Sequence, residues 1–273
     1  MPSNERNMRH QKSGFSLVEL SIVLVILGLL TGGILGGQAL IRAAEMRAVS
    51  TEYSRWMTAT QSFRDKYFAL PGDMRNATQF WGRMNGNADC VTTSSAAVSA
   101  AGICDGNGNS SLTSASAANL AGEYMQFWRH LAAAGLIEGN YAGVAGSGGA
   151  EHCQIDVACP RSKMSNVGWG VLSLPNFPGD VNSYALDYGN SFFVGAENPI
   201  FGPNLHAFRP EEAWNIDAKT DDGRPAQGRI IAVFWNNACA AADDGSSANN
   251  DLNASYRLNE TSKQCSLIFR QAF

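Results

Sequence analysis

The chain has 273 residues, enough for one large domain or two modest ones, and its size excludes a mini-scaffold held by disulfides alone. Charged residues are 16% against the ~25% of ordinary soluble domains, so part of the chain is expected not to face water. A formal charge of −4, from 20 Lys+Arg against 24 Asp+Glu, argues against a general nucleic-acid-binding surface.

Residues 1–13 are polar, and Arg6, Arg9 and Lys12 outweigh Glu5 by about two charges. From Leu20 to Ile41 there is no Asp, Glu, Lys or Arg, and 22 helical residues would span ~33 Å, enough to cross a bilayer. A secretory signal peptide would have an apolar region of only about 7 to 15 residues followed by a small-residue cleavage site. The positive leader before the span predicts that residues 1–14 stay in the cytoplasm and that everything beyond Arg42 is exported. All six cysteines lie beyond residue 89 and none is spaced as CxxC, which fits disulfides in an oxidising compartment.

One acid interrupts the apolar run. In Gly14-Phe15-Ser16-Leu17-Val18-Glu19-Leu20 the Glu19 carboxylate stands at the mouth of the span, where an unpaired charge costs roughly 2 to 3 kcal/mol, so a partner is expected. This string, followed by a long apolar helix, resembles the prepilin signal of type IV pilins and type II secretion pseudopilins. The resemblance implies that a prepilin peptidase cuts between Gly14 and Phe15, that Phe15 is N-methylated, and that Glu19 pairs with the terminal amine of a neighbouring subunit. A cation released by cleavage would then compensate a carboxylate in a medium of low polarity. The implied setting is the bacterial inner membrane: a single pass amid lipid, a periplasmic head, an inner-membrane assembly platform, and finally a pilus or pseudopilus filament of similar subunits packed helix to helix. Removal of residues 1–14 would leave 259 residues with a net charge of −6.

Gly28, Gly32 and Gly36, and likewise Gly33 and Gly37, are spaced by four, which strips one helix face of side chains for close helix approach. Past the membrane Met46, Val49, Tyr53, Trp56, Thr60, Phe63 and Tyr67 alternate steps of three and four, so the helix is predicted to run from residue 15 to about 67, with residues 20–41 in the membrane. Arg47, Glu52, Arg55 and Arg64 fall between those positions, and Ala69-Leu70-Pro71-Gly72-Asp73 supplies the stop.

Residues 68–273 are read as a head of α+β class, pilin-like, in which an antiparallel sheet and a second helix pack on the long N-terminal helix. Leu120, Tyr124, Phe127, Trp128 and Leu131 recur at helical spacing before Gly135. Candidate strands are Trp169–Leu174, Ser191–Val194, Arg229–Trp235 and Ser266–Phe269. Pairing neighbours in sequence gives Cys90 with Cys104, Cys153 with Cys159 and Cys239 with Cys265, one of fifteen connectivities.

No cofactor is required by any motif. Asp105, Asn107 and Asn109 place oxygens as the first half of a calcium-binding EF-hand loop does, with Ser116 where the closing Glu would stand and Glu123 as a distant substitute. Turn chemistry accounts for the same string, and for a second one, Asp243, Asp244, Asn249, Asn250, Asp251 and Asn253. His130, His152 and His206 show no metal spacing, no nucleotide or nucleophile signature is present, and His130 reads as a helix-surface or packing residue. The expected function is therefore structural and not enzymatic: a filament subunit, minor on account of its size. The alternative is a helix-mounted adhesin or substrate-binding module, in which Trp81, Trp169 or Trp214 would contact ligand.

Overall fold

A computed structural model describes residues 16–83, 101–114, 120–176, 178, 180, 182–233, 237–241 and 251–273. By their contacts these fall into two units, 1–44 and 45–273. The first unit holds the N-terminal part of helix α1 (Leu17–Tyr67), and the second holds its C-terminal part together with all other elements.

Helix α1 starts where Ser16 accepts the Val18 N–H at 3.2 Å and ends where Phe68 turns left-handed at φ 53°. Gly72, at φ 82°, then passes against the Glu123 carbonyl, where any Cβ would collide, so the turn admits glycine alone. Within the second unit the helix buries Val49, Glu52, Trp56, Ala59, Thr60 and Phe63 on one stripe. The predicted apolar period supplies the core side of this stripe. Glu52, read from the sequence as polar-face, is buried with it.

The remaining helices are α2 (Ala77–Trp81), α3 (Glu123–Ala133) and α4 (Pro210–Thr220). Strands β1 (Val167–Leu174), β2 (Gly189–Ala196), β3 (Ile230–Val233) and β6 (Ser266–Phe269) form one antiparallel sheet in the order β1-β2-β6-β3. A two-stranded ribbon pairs β4 (Ala240–Ala241) with β5 (Ser255–Tyr256). Residues 234 and 235 of the expected third strand lie outside the described residues, while the other strands and the second helix fall where periodicity put them, within a few residues.

Register divides the sheet into two faces. Trp169, Val171, Phe192, Val194, Phe269 and Leu267 share the inner face, on which α1 and α3 lie. Tyr53 of α1 stacks on Phe269 at 4.3 Å between ring centroids, Trp56 meets Trp128 of α3 edge-on at 5.2 Å, and Phe127 and Trp128 both contact Phe192. Buried aromatics of this size dominate the energetics of a core. Two disulfides tie loops to it: Cys153–Cys159, with Cα atoms 5.4 Å apart, and Cys239–Cys265, at 5.0 Å, which joins the ribbon to the start of β6. Cys104 is also disulfide-bonded, and Cys90 lies outside the described residues.

Candidate functional site

The N-terminal unit contains the feature that demands an explanation. Leu17, Val18, Leu20 and the large apolar side chains from Ile22 to Ile41 are all about half exposed or more. Burying such side chains is worth roughly 1.5 to 3 kcal/mol each, so an apolar helix left bare in water is not a stable arrangement. A Cβ built on Gly28, Gly32, Gly33, Gly36 or Gly37 would meet no atom within 4 Å, so nothing among the described residues requires glycine there. The helix is long and apolar enough to cross a membrane.

At the head of this helix the Ser16 N–H donates to Glu19 Oε2 at 2.9 Å, and Ser16 Oγ accepts from Val18. Together these form a capping box, in which the acid at the third helical position closes back on the N-cap. Its sequence signal is Ser16-x-x-Glu19. The carboxylate also sits at the positive end of the helix dipole. Gly14 and Phe15 lie outside the described residues.

Residues 9–35 match the family model of the prokaryotic N-terminal methylation motif. The chain thus carries, on a helix long and apolar enough to cross a membrane, the prepilin-type signal found in type IV pilins and pseudopilins. No curated protein and no solved structure matches the chain.

In the head, the candidate calcium ligands are brought together around backbone amides. Asp105 accepts from the Thr78 N–H and hydroxyl, at 2.8 and 2.9 Å. Asn107 and Asn109 each accept from the amide two residues on, the Asx-turn pattern. Two acids from distant elements organise the loop. Asp73 takes the amides of Gly108, Asn109 and Ser110, and Glu123 takes those of Asn107 and Thr113 and the Thr113 hydroxyl. Burial pushes the Glu123 carboxyl up, against the pull of its hydrogen bonds from Thr113 and Asn107. Glu123 therefore does reach the loop, as the sequence allowed, with its oxygens directed at N–H and O–H donors. Residues 243, 244, 249 and 250 of the second oxygen-rich string lie outside the described residues.

Two further polar groups, Glu52 and His130, are buried. Glu52 Oε1 accepts from the Lys163 N–H at 2.7 Å, and Oε2 accepts from the Ser162 hydroxyl at 2.7 Å and the Trp169 indole N–H at 2.8 Å. Of the two readings of His130, helix surface or packing, the structure gives packing: the ring is fully buried. Its Nδ1 accepts the Gly72 N–H at 2.9 Å while Nε2 lies 3.0 Å from the Cys104 carbonyl, which fixes a neutral imidazole with the proton on Nε2. Burial lowers its pKa to about 4.

The tryptophans that the adhesin alternative would expose differ in their placement. Trp169 is wholly buried on Glu52, and Trp81 packs with Phe63, Tyr67 and His130. Trp214 is the more open ring, at 38% exposure. Packing, then, is what Trp169 is for.

Proposed function

We propose that this chain is a minor structural subunit of a type IV pilus or type II secretion pseudopilus. A prepilin peptidase cleaves it after Gly14, Phe15 is N-methylated, and the subunit stands in the inner membrane with its head in the periplasm until an assembly platform adds it to the filament. In the filament α1 packs against neighbouring helices through its glycine-stripped face, and Glu19 pairs with the amine of an adjoining subunit.

One observation carries the reading: the helix within the methylation motif has an apolar, exposed surface and five glycines with no close neighbour among the described residues. A membrane covers such a surface before assembly and neighbouring subunits cover it after. In the free chain the capping box holds the Glu19 carboxylate at the helix start. A neighbour's ammonium is a stronger partner than a single amide, because charge-assisted hydrogen bonds are about twice as strong as neutral ones.

The test separates processing from assembly. Gly14→Arg should leave the chain at its uncleaved mass and keep it out of filaments. Glu19→Ala should be cleaved normally, yet its amount in sheared filaments should fall roughly tenfold or more, as expected for loss of a charge pair at a membrane boundary. Undiminished incorporation of the Glu19→Ala chain would refute the role given to that carboxylate.

A further inference from the structure

The outer face of the sheet points to a binding site. Leu174, Phe193, Ile268 and Val233 all project from this face by the register of the strands. Part of the face is closed over: Phe193 stacks on Phe201 at 5.8 Å, and its ring edge lies against Gly170 and Gly202, where side chains would have no room. Leu174, Val233 and Ile268, each only 5 to 7% exposed, form the floor of a cleft of about 410 Å³ among the described residues. That volume falls in the range of small-ligand and side-chain pockets, roughly 300 to 1,000 Å³.

The rim determines what the cleft can accept. Ile200, 71% exposed, stands at its edge beside Phe201. Among the described residues that line it the charged ones are Glu151 and Asp180, both acidic, and no Lys, Arg or His takes part. The Glu151 carbonyl is held by the Tyr124 hydroxyl, and Asp180 Oδ1 caps its own turn by accepting the amides of Asn182 and Ser183. Asn182, Asn198 and Asn204 add amide groups suited to a peptide backbone. An apolar floor with a purely acidic rim is complementary to an apolar group that carries a cation.

We propose that this cleft binds an extended segment of a partner protein in which a bulky aliphatic or aromatic side chain adjoins Lys or Arg. The apolar side chain seats between Phe193, Ile268 and Ile200, and the cation lies toward Glu151 and Asp180. This gives the head a recognition surface separate from the helix that mounts it.

The floor and rim carry methyl groups, so methyl NMR reads the cleft directly. The full chain, labelled at Ile, Leu and Val methyls and held in nanodiscs of zwitterionic lipid, is titrated with acetyl-Leu-Arg-Leu-amide and, separately, acetyl-Leu-Glu-Leu-amide; empty nanodiscs correct for partition into lipid. The Arg peptide should shift the methyls of Leu174, Ile200, Val233 and Ile268 and bind about fivefold more tightly than the Glu peptide, the scale of two partly exposed charge pairs. Glu151→Gln combined with Asp180→Asn should abolish that preference. Glu151→Gln alone, which leaves the Asp180 turn untouched, should reduce it about twofold. Shifts confined to other methyls, equal affinity for the two peptides, or an undiminished preference in the Glu151→Gln chain would each overturn the proposal.

Discussion

Glu52 is a buried carboxylate answered entirely by neutral donors, and that makes it an anchor. It draws the Trp169 indole, the Ser162 hydroxyl and the Lys163 amide onto one turn of α1. Removing one side of such a cluster leaves the other side desolvated and unpaired, at roughly 1 to 3 kcal/mol per group. Glu52→Ala should therefore lower stability by about 3 kcal/mol in urea unfolding of the detergent-solubilised chain, and Glu52→Gln should also destabilise, since its NH₂ turns a donor toward donors. His130 and Asp217 make opposite contributions to pH dependence. Native His130 stays neutral down to about pH 4, whereas the unfolded chain binds a proton from about 6.5, so its contribution is complete above 6.5 and is lost as pH falls toward 4. The loss is about 3 kcal/mol, and His130→Gln, which keeps a donor and an acceptor but cannot titrate, should remove that slope from urea midpoints measured across this range. Asp217 is raised to about 7 by burial, outweighing the Tyr256 hydroxyl and Gly223 amide that bond to its carboxylate. Its contribution is present at low pH and lost as pH rises through 7. An Asp217→Asn chain should gain on the native one between pH 4 and 8 in the same measurement.

At the scale of elements, the C-terminal part of α1 is a core component of the head. Phe63 is fully buried on its stripe and touches Tyr67, Trp81 and His130, so Phe63→Ala should cost about 3 to 5 kcal/mol, checked by thermal and urea unfolding. Much of this layer could be read from the sequence because its periods are clean: steps of three and four in α1 and α3, and β-branched and aromatic runs in β1, β2 and β6. Helix α4 was missed for a physical reason. Its core side is only Pro210, Ala213 and Ile216 with the acids Glu212 and Asp217, too polar to register as an apolar stripe, although Pro210 at its first turn marked the start. The loop 105–113 was visible as an oxygen-rich string. The acids that organise it, Asp73 and Glu123, come from α1's exit turn and from α3, and only tertiary contact brings them there. For the same reason Glu52 looked like an ordinary polar-face residue, and the partners that fix the buried His130 ring, Gly72 and Cys104, could not be read from its helix alone. The Cys239–Cys265 bond joins a ribbon of two residues per strand to the main sheet, and replacing both cysteines with Ser should lower stability by about 2 to 4 kcal/mol.

Across the whole molecule, the two units answer to different surroundings. Residues 45–273 bury an aromatic core behind a polar surface, as a domain in water must. The apolar side chains from Leu17 to Ile41 instead require lipid or other helices, which the proposed membrane and filament settings would supply in turn. The proposal turns on the Glu19 carboxylate, which a membrane boundary tolerates better if a new chain end neutralises it. The most direct measurement is the mass of the N-terminal peptide of this protein recovered from sheared filaments. The account predicts a peptide that begins at Phe15 and carries one added methyl on its amine; a peptide that still begins at Met1 would contradict it.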